Sequence, residues 1–105
     1  MGLVSVVLVT WNSAPYLGRC LEGIRHQTHT PLELIVVDNA STDDSVALVG
    51  SAQVIRNDTN RGFSAAVNQG LGVAKGDLVL LLNPDCHLAP DYIERLAAVL
   101  HDDVG

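Results

Sequence analysis

Polar residues that could bind a ligand follow four apolar runs of this sequence. They are Thr10-Trp11-Asn12, Asp38-Asn39, residues 57–61 and Asn83-Pro84-Asp85. If the runs are parallel strands, these clusters meet at the carboxyl edge of one sheet, where open α/β sheets bind ligands. Polar residues after strands are also ordinary turn formers, so each cluster alone has a structural interpretation. Four together, one of them holding the only Trp, favour a binding crevice.

The carboxylate of Asp38 closes a buried apolar run, residues 34–37. Two interpretations are open for it. It either accepts hydrogen bonds in a turn through Asn39 and Ser41, or it accepts an N–H group from a ligand.

Asp85 follows the most apolar run and a proline turn. It is either a simple turn residue or a hard oxygen ligand for a divalent cation. Asn83 offers a neutral carbonyl, which suits a supporting role. His87 could approach the same cation, although a single loop histidine is usually polar surface, and Cys86 is interpreted as a packing residue.

Two other motifs have structural interpretations. Asp43 and Asp44 are expected in the first turn of a helix, where acidic side chains favour the helix dipole, and Ser41 with Asp44 resembles a capping arrangement. Gly70 and Gly72 mimic part of a dinucleotide-binding pattern but fall inside a predicted helix, which argues against that role. Close packing against the sheet or a neighbour would explain them.

Alternating elements are needed to bring these residues together. Apolar β-branched runs predict strands over residues 3–9, 33–37, 53–56 and 77–82, and helical stripes follow each of them. The first stripe comes after Ser13, a candidate N-cap, and consists of Leu17, Cys20, Leu21 and Ile24. This order predicts an α/β fold, a Rossmann-like and mostly parallel sheet of about four strands with helices on both faces.

Composition limits the class of protein. The 105 residues are 48% hydrophobic and 17% charged, enough for one packed core. Twelve acidic against six basic residues give a formal charge of −6, which argues against nucleic acid as a partner. No apolar run reaches the ~20 residues of a membrane helix, and no signal peptide is expected. Cys20 and Cys86 lack a CxxC spacing and predict two reduced, buried thiols in a cytoplasmic protein.

Four strings in order resemble the nucleotide-binding half of family 2 inverting glycosyltransferases of the GT-A fold. They are residues 4–12 (VSVVLVTWN), 34–43 (LIVVDNASTD), 60–70 (NRGFSAAVNQG) and 80–85 (LLLNPD). The resemblance covers nearly the whole chain. Within the family it is nearest to bacterial rhamnosyltransferase-like members, where NPD commonly replaces the DxD motif, and this favours a deoxythymidine-linked rhamnose donor.

The resemblance implies a role for each matching residue. Thr10, Trp11 and Asn12 would surround the base and ribose of a nucleoside-diphosphate sugar, UDP- or dTDP-linked, and Asp38 would accept a hydrogen bond from the pyrimidine. The donor-sugar side would be lined by Asn60, Gly62, Phe63 and Asn68. Asp85 would hold Mg2+ or Mn2+ against the diphosphate, with Asn83 in place of the first acidic residue of DxD.

The resemblance also implies a general base and most of an acceptor site in a C-terminal half of the family's domain, beyond Gly105. Residues 1–105 are therefore expected to be a donor-binding part, truncated at the C-terminus and inactive alone. No acid within them is a candidate base, since Asp102 and Asp103 are interpreted as a solvated helix end. Apolar surface at the sheet edge and last helix is expected, with dimerisation or poor solubility as its result.

Further expectations concern the whole protein. The resemblance implies a glycan or lipid-linked acceptor, cell-wall or polysaccharide biosynthesis, and a cytoplasmic location at the inner face of the membrane with peripheral association. An alternative is a non-catalytic nucleotide-binding or assembly module of the same fold. A phosphoacceptor signalling domain is disfavoured, because the first strand ends in Thr10-Trp11-Asn12 and the only lysine, Lys75, falls at a helix end.

Overall fold

The fold is a four-stranded sheet covered by helices, seen in a computed structural model that describes residues 2–29, 31–50 and 52–104, with side chains to residue 100. The strands are β1 (Val4–Thr10), β2 (Leu32–Asp38), β3 (Gln53–Arg56) and β4 (Leu78–Leu82). The helices are α1 (Ala14–Arg25), α2 (Phe63–Val73) and α3 (Tyr92–Val104), with one 3-10 turn at Val46–Leu48. Asp102 and Asp103 lie outside the residues whose side chains are described.

The strand order is β3-β2-β1-β4, and all three pairings are parallel. The chain moves outward from β1 to β2 and β3 and then crosses to the other side of β1 for β4. This reversal makes the carboxyl ends of β1 and β4 the switch point, where a ligand crevice is expected. The predicted α/β parallel sheet is confirmed.

Strand β1 is buried on both faces, which explains why its sequence lacks polar alternation. Val6 and Leu8 pack with Leu17 and Leu21 of α1 in the main core. On the opposite face Val7 lies against α2. Because helices cover both faces, the hydrophobic effect fixes β1 as the centre of the domain.

The segment after β2 differs from its prediction. A capped helix was expected there, but the structure has only the 3-10 turn Val46–Leu48. The hydroxyl of Ser41 does not cap a helix: it accepts a hydrogen bond from the N–H group of Asn12 and donates one to Asp38. Ser13 does precede α1 as predicted, yet its hydroxyl bonds the carbonyl of Trp11 rather than a helical N–H group.

Apolar side chains remain exposed at the outer strand and the last helix, as the sequence predicts. Val79 and Leu81 of β4 and Val99 of α3 are the main examples. Among the described residues, no helix combines the length and apolar character that crossing a membrane requires.

The two glycines inside α2 differ in their surroundings. A Cβ atom at Gly70 would lie 2.5 Å from Cγ1 of Val7, closer than side chains approach one another. Gly72 has no atom within 4 Å of the same position. Packing against the sheet therefore explains Gly70 and leaves Gly72 unexplained.

We expect opposite effects when each of these glycines becomes alanine. Gly70→Ala forces Val7 or the helix to shift and lowers the free energy of unfolding by about 1–2 kcal/mol. Gly72→Ala removes only the helix penalty of glycine and raises it by about 0.5–1 kcal/mol. Urea unfolding of the two variants measures the difference. A stabilised Gly70→Ala variant would contradict this packing argument.

Candidate functional site

The carboxyl ends of three strands are tied together by backbone hydrogen bonds. The N–H group of Asn39 donates to the carbonyl of Thr10 at 2.9 Å, and that of Asn57 donates to the carbonyl of Asp38 at 2.9 Å. The polar clusters after β1, β2 and β3 therefore share one edge of the sheet.

Asn12 holds the loop after β1 against the loop after β2. Its φ of 48° lies in the left-handed region, which asparagine tolerates better than most residues. Its Oδ1 accepts hydrogen bonds from the N–H groups of Thr42 at 2.7 Å and Asp43 at 3.3 Å, and its own N–H donates to the Ser41 hydroxyl at 2.9 Å. The side chain thus shapes the crevice wall.

Asp38 is fully buried, and both of its oxygens are occupied by Ser41. The Ser41 hydroxyl donates to Oδ1 at 2.6 Å, and the Ser41 N–H donates to Oδ2 at 3.1 Å. Between them Ala40 has a φ of 66°, a conformation that costs a non-glycine residue of order 1 kcal/mol. The structure shows the turn interpretation of Asp38. A contact with a base stays a prediction. Each carboxylate oxygen can accept a second hydrogen bond, but Asp38 is fully buried, so the loop around it would have to move to admit a ligand.

Thr10 contributes an unpaired polar atom beneath the crevice. Its hydroxyl is buried and has no hydrogen-bond partner among the described residues. Buried hydroxyls are normally paired with protein, water or ligand. The next residue, Trp11, is 54% exposed, so a large aromatic side chain is open to solvent at this end of β1.

A network of side-chain amides positions the loop between β3 and α2. Asn39 donates from Nδ2 to the carbonyl of Gly62 at 3.1 Å and accepts at Oδ1 from Asn57 at 2.9 Å and from the Arg61 N–H at 3.3 Å. Asn57 and Gln69 exchange two hydrogen bonds of 2.8 Å. Gln69 was not predicted as a site residue. Its amide side chain, within residues 60–70, was a signal that could have indicated it.

Gly62 begins α2 in a conformation that favours glycine. Its φ is 85° and its ψ is 168°, while a Cβ atom there would meet nothing within 4 Å. Backbone conformation rather than space therefore requires glycine. Asn60 supports the turn by accepting a hydrogen bond from the Gly62 N–H at 2.8 Å. Asn68 is exposed further along α2.

Phe63 faces the end of β4. Its ring is 58% exposed, and it lines with Asn83 and apolar residues of β1, β4 and α2 a cavity of about 220 Å³. Phe63 is thus the one residue predicted for the donor-sugar side that shares a cavity with Asn83, from the turn that carries Asp85, while Asn60, Gly62 and Asn68 do not line it.

The turn after β4 presents Asp85 to solvent. The carbonyl of Asn83 accepts a hydrogen bond from the Cys86 N–H at 3.1 Å and a contact from the Cys20 thiol at 3.7 Å, which ties the turn to α1. Burial raises the pKa of that thiol to about 11, so it remains a protonated donor at neutral pH. Among the described residues no three His, Cys, Asp or Glu side chains converge as a metal site.

A single exposed carboxylate nevertheless fits Mg2+ or Mn2+ bound together with a diphosphate. Mg2+ in such sites takes one or two protein carboxylates and completes its shell with phosphate oxygens and water. Asp85 would be that one hard oxygen ligand, and the supporting role of Asn83 stays a prediction. Among the described residues, His87 and Cys86 do not join Asp85 in a set of three converging ligands.

Asp43 stabilises the start of α1 instead of the helix in which it was expected. Its Oδ2 accepts a hydrogen bond from the Ala14 N–H at 3.1 Å, and its Oδ1 accepts from the hydroxyl and N–H of Ser45. The Ser45 hydroxyl is the main cause that lowers the pKa of Asp43 below its ordinary value, and the backbone N–H groups of Ser45 and Ala14 act in the same direction. Asp43 is therefore not in the first turn of a helix of its own. Its carboxylate lies at the N-terminus of α1, where a negative charge favours the dipole of that helix.

The stabilising effect of Asp43 should depend on pH. Because its pKa is lower in the folded chain, its contribution is complete above about pH 4 and is lost as the pH falls through the folded value. The difference in urea midpoint between wild type and Asp43→Asn should therefore be constant from about pH 5 to 7 and shrink below about pH 4. Asp44→Asn is the matched control, since no described residue donates a hydrogen bond to the Asp44 carboxylate. An equal pH dependence in both variants would contradict this assignment.

A double-mutant cycle tests the amide pair. Asn57→Ala and Gln69→Ala should show a coupling free energy of about 1 kcal/mol, because each removes both hydrogen bonds. The control cycle pairs Asn57→Ala with Asn68→Ala, which should be additive. Additivity in both cycles would show that the amide pair does not fix the loop.

Known proteins resemble this chain in sequence and in fold. A family model described as glycosyl transferase family 2 matches residues 5–104. The chain is 33% identical over 101 residues to the glycosyltransferase GlyG of Streptococcus pneumoniae serotype 4, an alignment covering 90% of this chain and 34% of GlyG.

Solved structures agree. S. aureus TarS 1–349 in complex with UDP-GlcNAc matches with a TM-score of 0.88 at 27% identity, over 94% of this chain and 31% of that one. The mannosyltransferase PcManGT of Pyrobaculum calidifontis, in complex with GDP-Man and Mn2+, matches with a TM-score of 0.80 at 30% identity, over 91% and 31%. The chain spans about a third of the length of each of these proteins. With its sheet order, its polar edge and the match over residues 5–104, the chain belongs to glycosyl transferase family 2.

Proposed function

We propose that this chain is the donor-binding part of a metal-assisted, inverting glycosyltransferase. The observation that carries the proposal is the meeting of the polar clusters after β1, β2, β3 and β4 at the carboxyl edge, beside the switch point. The nucleoside-diphosphate sugars bound by TarS and PcManGT support this class of ligand. Residues 1–105 would form one nucleotide-sugar-binding unit, and the acceptor site and general base would lie elsewhere in the protein.

The base and ribose would lie against the ends of β1 and β2. Trp11 offers an exposed ring for stacking, and the buried, unpaired hydroxyl of Thr10 offers a hydrogen bond. Asn12 keeps the wall in place through the loop after β2. Asp38 would accept a hydrogen bond from the pyrimidine N–H once movement of the loop that contains Ser41 exposes its carboxylate.

The sugar side would be formed by the loop before α2 and by the turn after β4. Asn60 and Gly62 shape the loop, and Phe63 and Asn83 line the shared cavity. Asn68 would contact the donor from α2. In this proposal the cavity lined by Phe63 and Asn83 would lie near the anomeric end of the donor, where water must be excluded.

The net charge of the chain favours a cation at this edge. The formal charge of −6 repels a diphosphate, and two unit charges 4 Å apart interact by about 4 kcal/mol at an effective dielectric constant of 20. Asp85 would hold Mg2+ or Mn2+ there, as the Mn2+ complex of PcManGT supports. The ion would stabilise the negative charge that develops on the leaving nucleoside diphosphate. Asp85 itself orients the ion and Asn83 supports the turn.

The finer points are proposals of the same kind. The donor would be UDP- or dTDP-linked, a hexosyl or rhamnosyl group, and NPD favours deoxythymidine-linked rhamnose. The acceptor would be a glycan or lipid-linked hydroxyl compound used in cell-wall or polysaccharide synthesis at the inner face of the membrane. A homodimer would cover exposed apolar side chains of β4 and α3. The alternative of a non-catalytic nucleotide-binding module is favoured only by the single metal ligand.

Isothermal titration of the full-length protein with UDP tests the proposal. Binding should require Mn2+ or Mg2+, and Asp85→Asn should weaken metal-dependent binding at least about tenfold, because the ion loses its protein carboxylate. Asp77→Asn is the matched control, since Asp77 lies at the opposite end of β4. Equal binding by both variants would contradict the role of Asp85. Metal-dependent binding without sugar transfer to any acceptor would favour the non-catalytic module.

A further inference from the structure

The segment between β4 and α3 runs along one face of α1. Cys20 and Gly23 lie on that face three residues apart, and Gln27 follows two residues after the helix ends. The Cys20 thiol contacts the carbonyl of Asn83 at 3.7 Å, and Nε2 of Gln27 donates to the carbonyl of Ala89 at 2.7 Å. Both ends of the segment are thus attached to α1.

The middle of the segment is equally close. A Cβ atom at Gly23 would lie 3.0 Å from the backbone nitrogen of Leu88 and 3.3 Å from the ring of His87. The absence of a side chain at Gly23 lets the backbone after Cys86 approach the helix directly. Cys86 therefore lies between two points of contact with α1.

The Cys20 thiol and the backbone of Cys86 both lie next to one oxygen atom. The carbonyl of Asn83 accepts the contact from the Cys20 thiol and, at 3.1 Å, the hydrogen bond from the Cys86 N–H. Both cysteines are free, Cys20 buried and Cys86 half-buried. The backbone of Cys86 therefore lies close to the Cys20 thiol, although the two residues are far apart in the sequence. The Cys86 thiol itself contacts Oδ1 of Asp85 at 4.0 Å, and rotation of its side chain would be needed to turn it towards Cys20.

We propose that Cys20 and Cys86 form a reversible disulfide, a redox-sensitive site that fastens the Asn83–Cys86 turn to α1. The oxidant is a small disulfide such as oxidised glutathione. The Cys86 thiolate attacks one of its sulfur atoms and releases one glutathione. The Cys20 thiol then gives up its proton, attacks Cys86 Sγ and releases the second glutathione, and because burial raises the pKa of Cys20 to about 11 this second step is the slower one at neutral pH. The two thiol protons leave on the two glutathione molecules, and the cysteine pair loses two electrons.

The bond would change the turn that carries Asp85 without touching the rest of the edge. In the reduced chain the turn is held by one weak thiol contact and by backbone hydrogen bonds. In the oxidised chain a covalent bond joins it to a buried helix position. Disulfide formation here does not require that the protein transfer a sugar.

Peptide mapping of the full-length protein tests the disulfide. The reduced protein is freed of reductant, exposed to oxidised glutathione and digested with trypsin without reduction. Cleavage after Arg19, Arg25, Lys75 and Arg95 releases Cys20 in residues 20–25 and Cys86 in residues 76–95. The expected product is these two peptides linked, and dithiothreitol should separate them.

Thermal unfolding supplies a second readout. The oxidised protein should melt at least about 5 °C higher, because the bond constrains a long loop of the unfolded chain, and dithiothreitol should reverse the shift. Cys86→Ser and Cys20→Ala are the controls and should show neither the linked peptide nor the shift. A stable glutathione adduct on Cys86 with Cys20 unmodified would overturn the proposal, and so would two unmodified thiols.

Discussion

Burial of β1 on both faces is the constraint on which the rest of the domain depends. Helix α1 covers one face and α2 the other, and β2 and β4 pair with its two edges. Parallel pairing in one register then brings Thr10 beside Asp38 and Asp38 beside Arg56, at one level of the sheet. The polar edge is a consequence of packing a β-branched strand where water is excluded.

Beyond that level the sheet supplies no further ladder, so side chains have to satisfy the loop backbone. Asn12, Asn39 and Asp43 do this with amide and carboxylate groups that each bond two or more partners. Such groups hold a loop at fixed geometry because an unpaired buried N–H group is costly. Asp85 differs from them, since it is exposed and no backbone N–H group of the described residues donates to its carboxylate.

Local patterns in the sequence determined the elements, and contacts between distant residues determined the rest. Apolar runs predicted all four strands within a few residues, and the stripe Leu17, Cys20, Leu21 and Ile24 predicted the buried face of α1. The cap of α1 by Asp43 could not be predicted, because that residue lies 29 positions away. For Asp38 the sequence left two roles open, since only the folded turn shows that Ser41 occupies its oxygens.

The close contact at Gly70 fixes the position of helix α2 relative to the sheet. The contact with Val7 allows no spacer between helix and strand there, so the height of the helix above the sheet is set by backbone atoms. Phe63 lies two turns away, about 10 Å along the same rigid rod. Any change that raised the helix at Gly70 would tilt the rod and displace the aromatic ring at the crevice. The absence of a side chain at Gly70 thereby determines where the exposed ring of Phe63 lies.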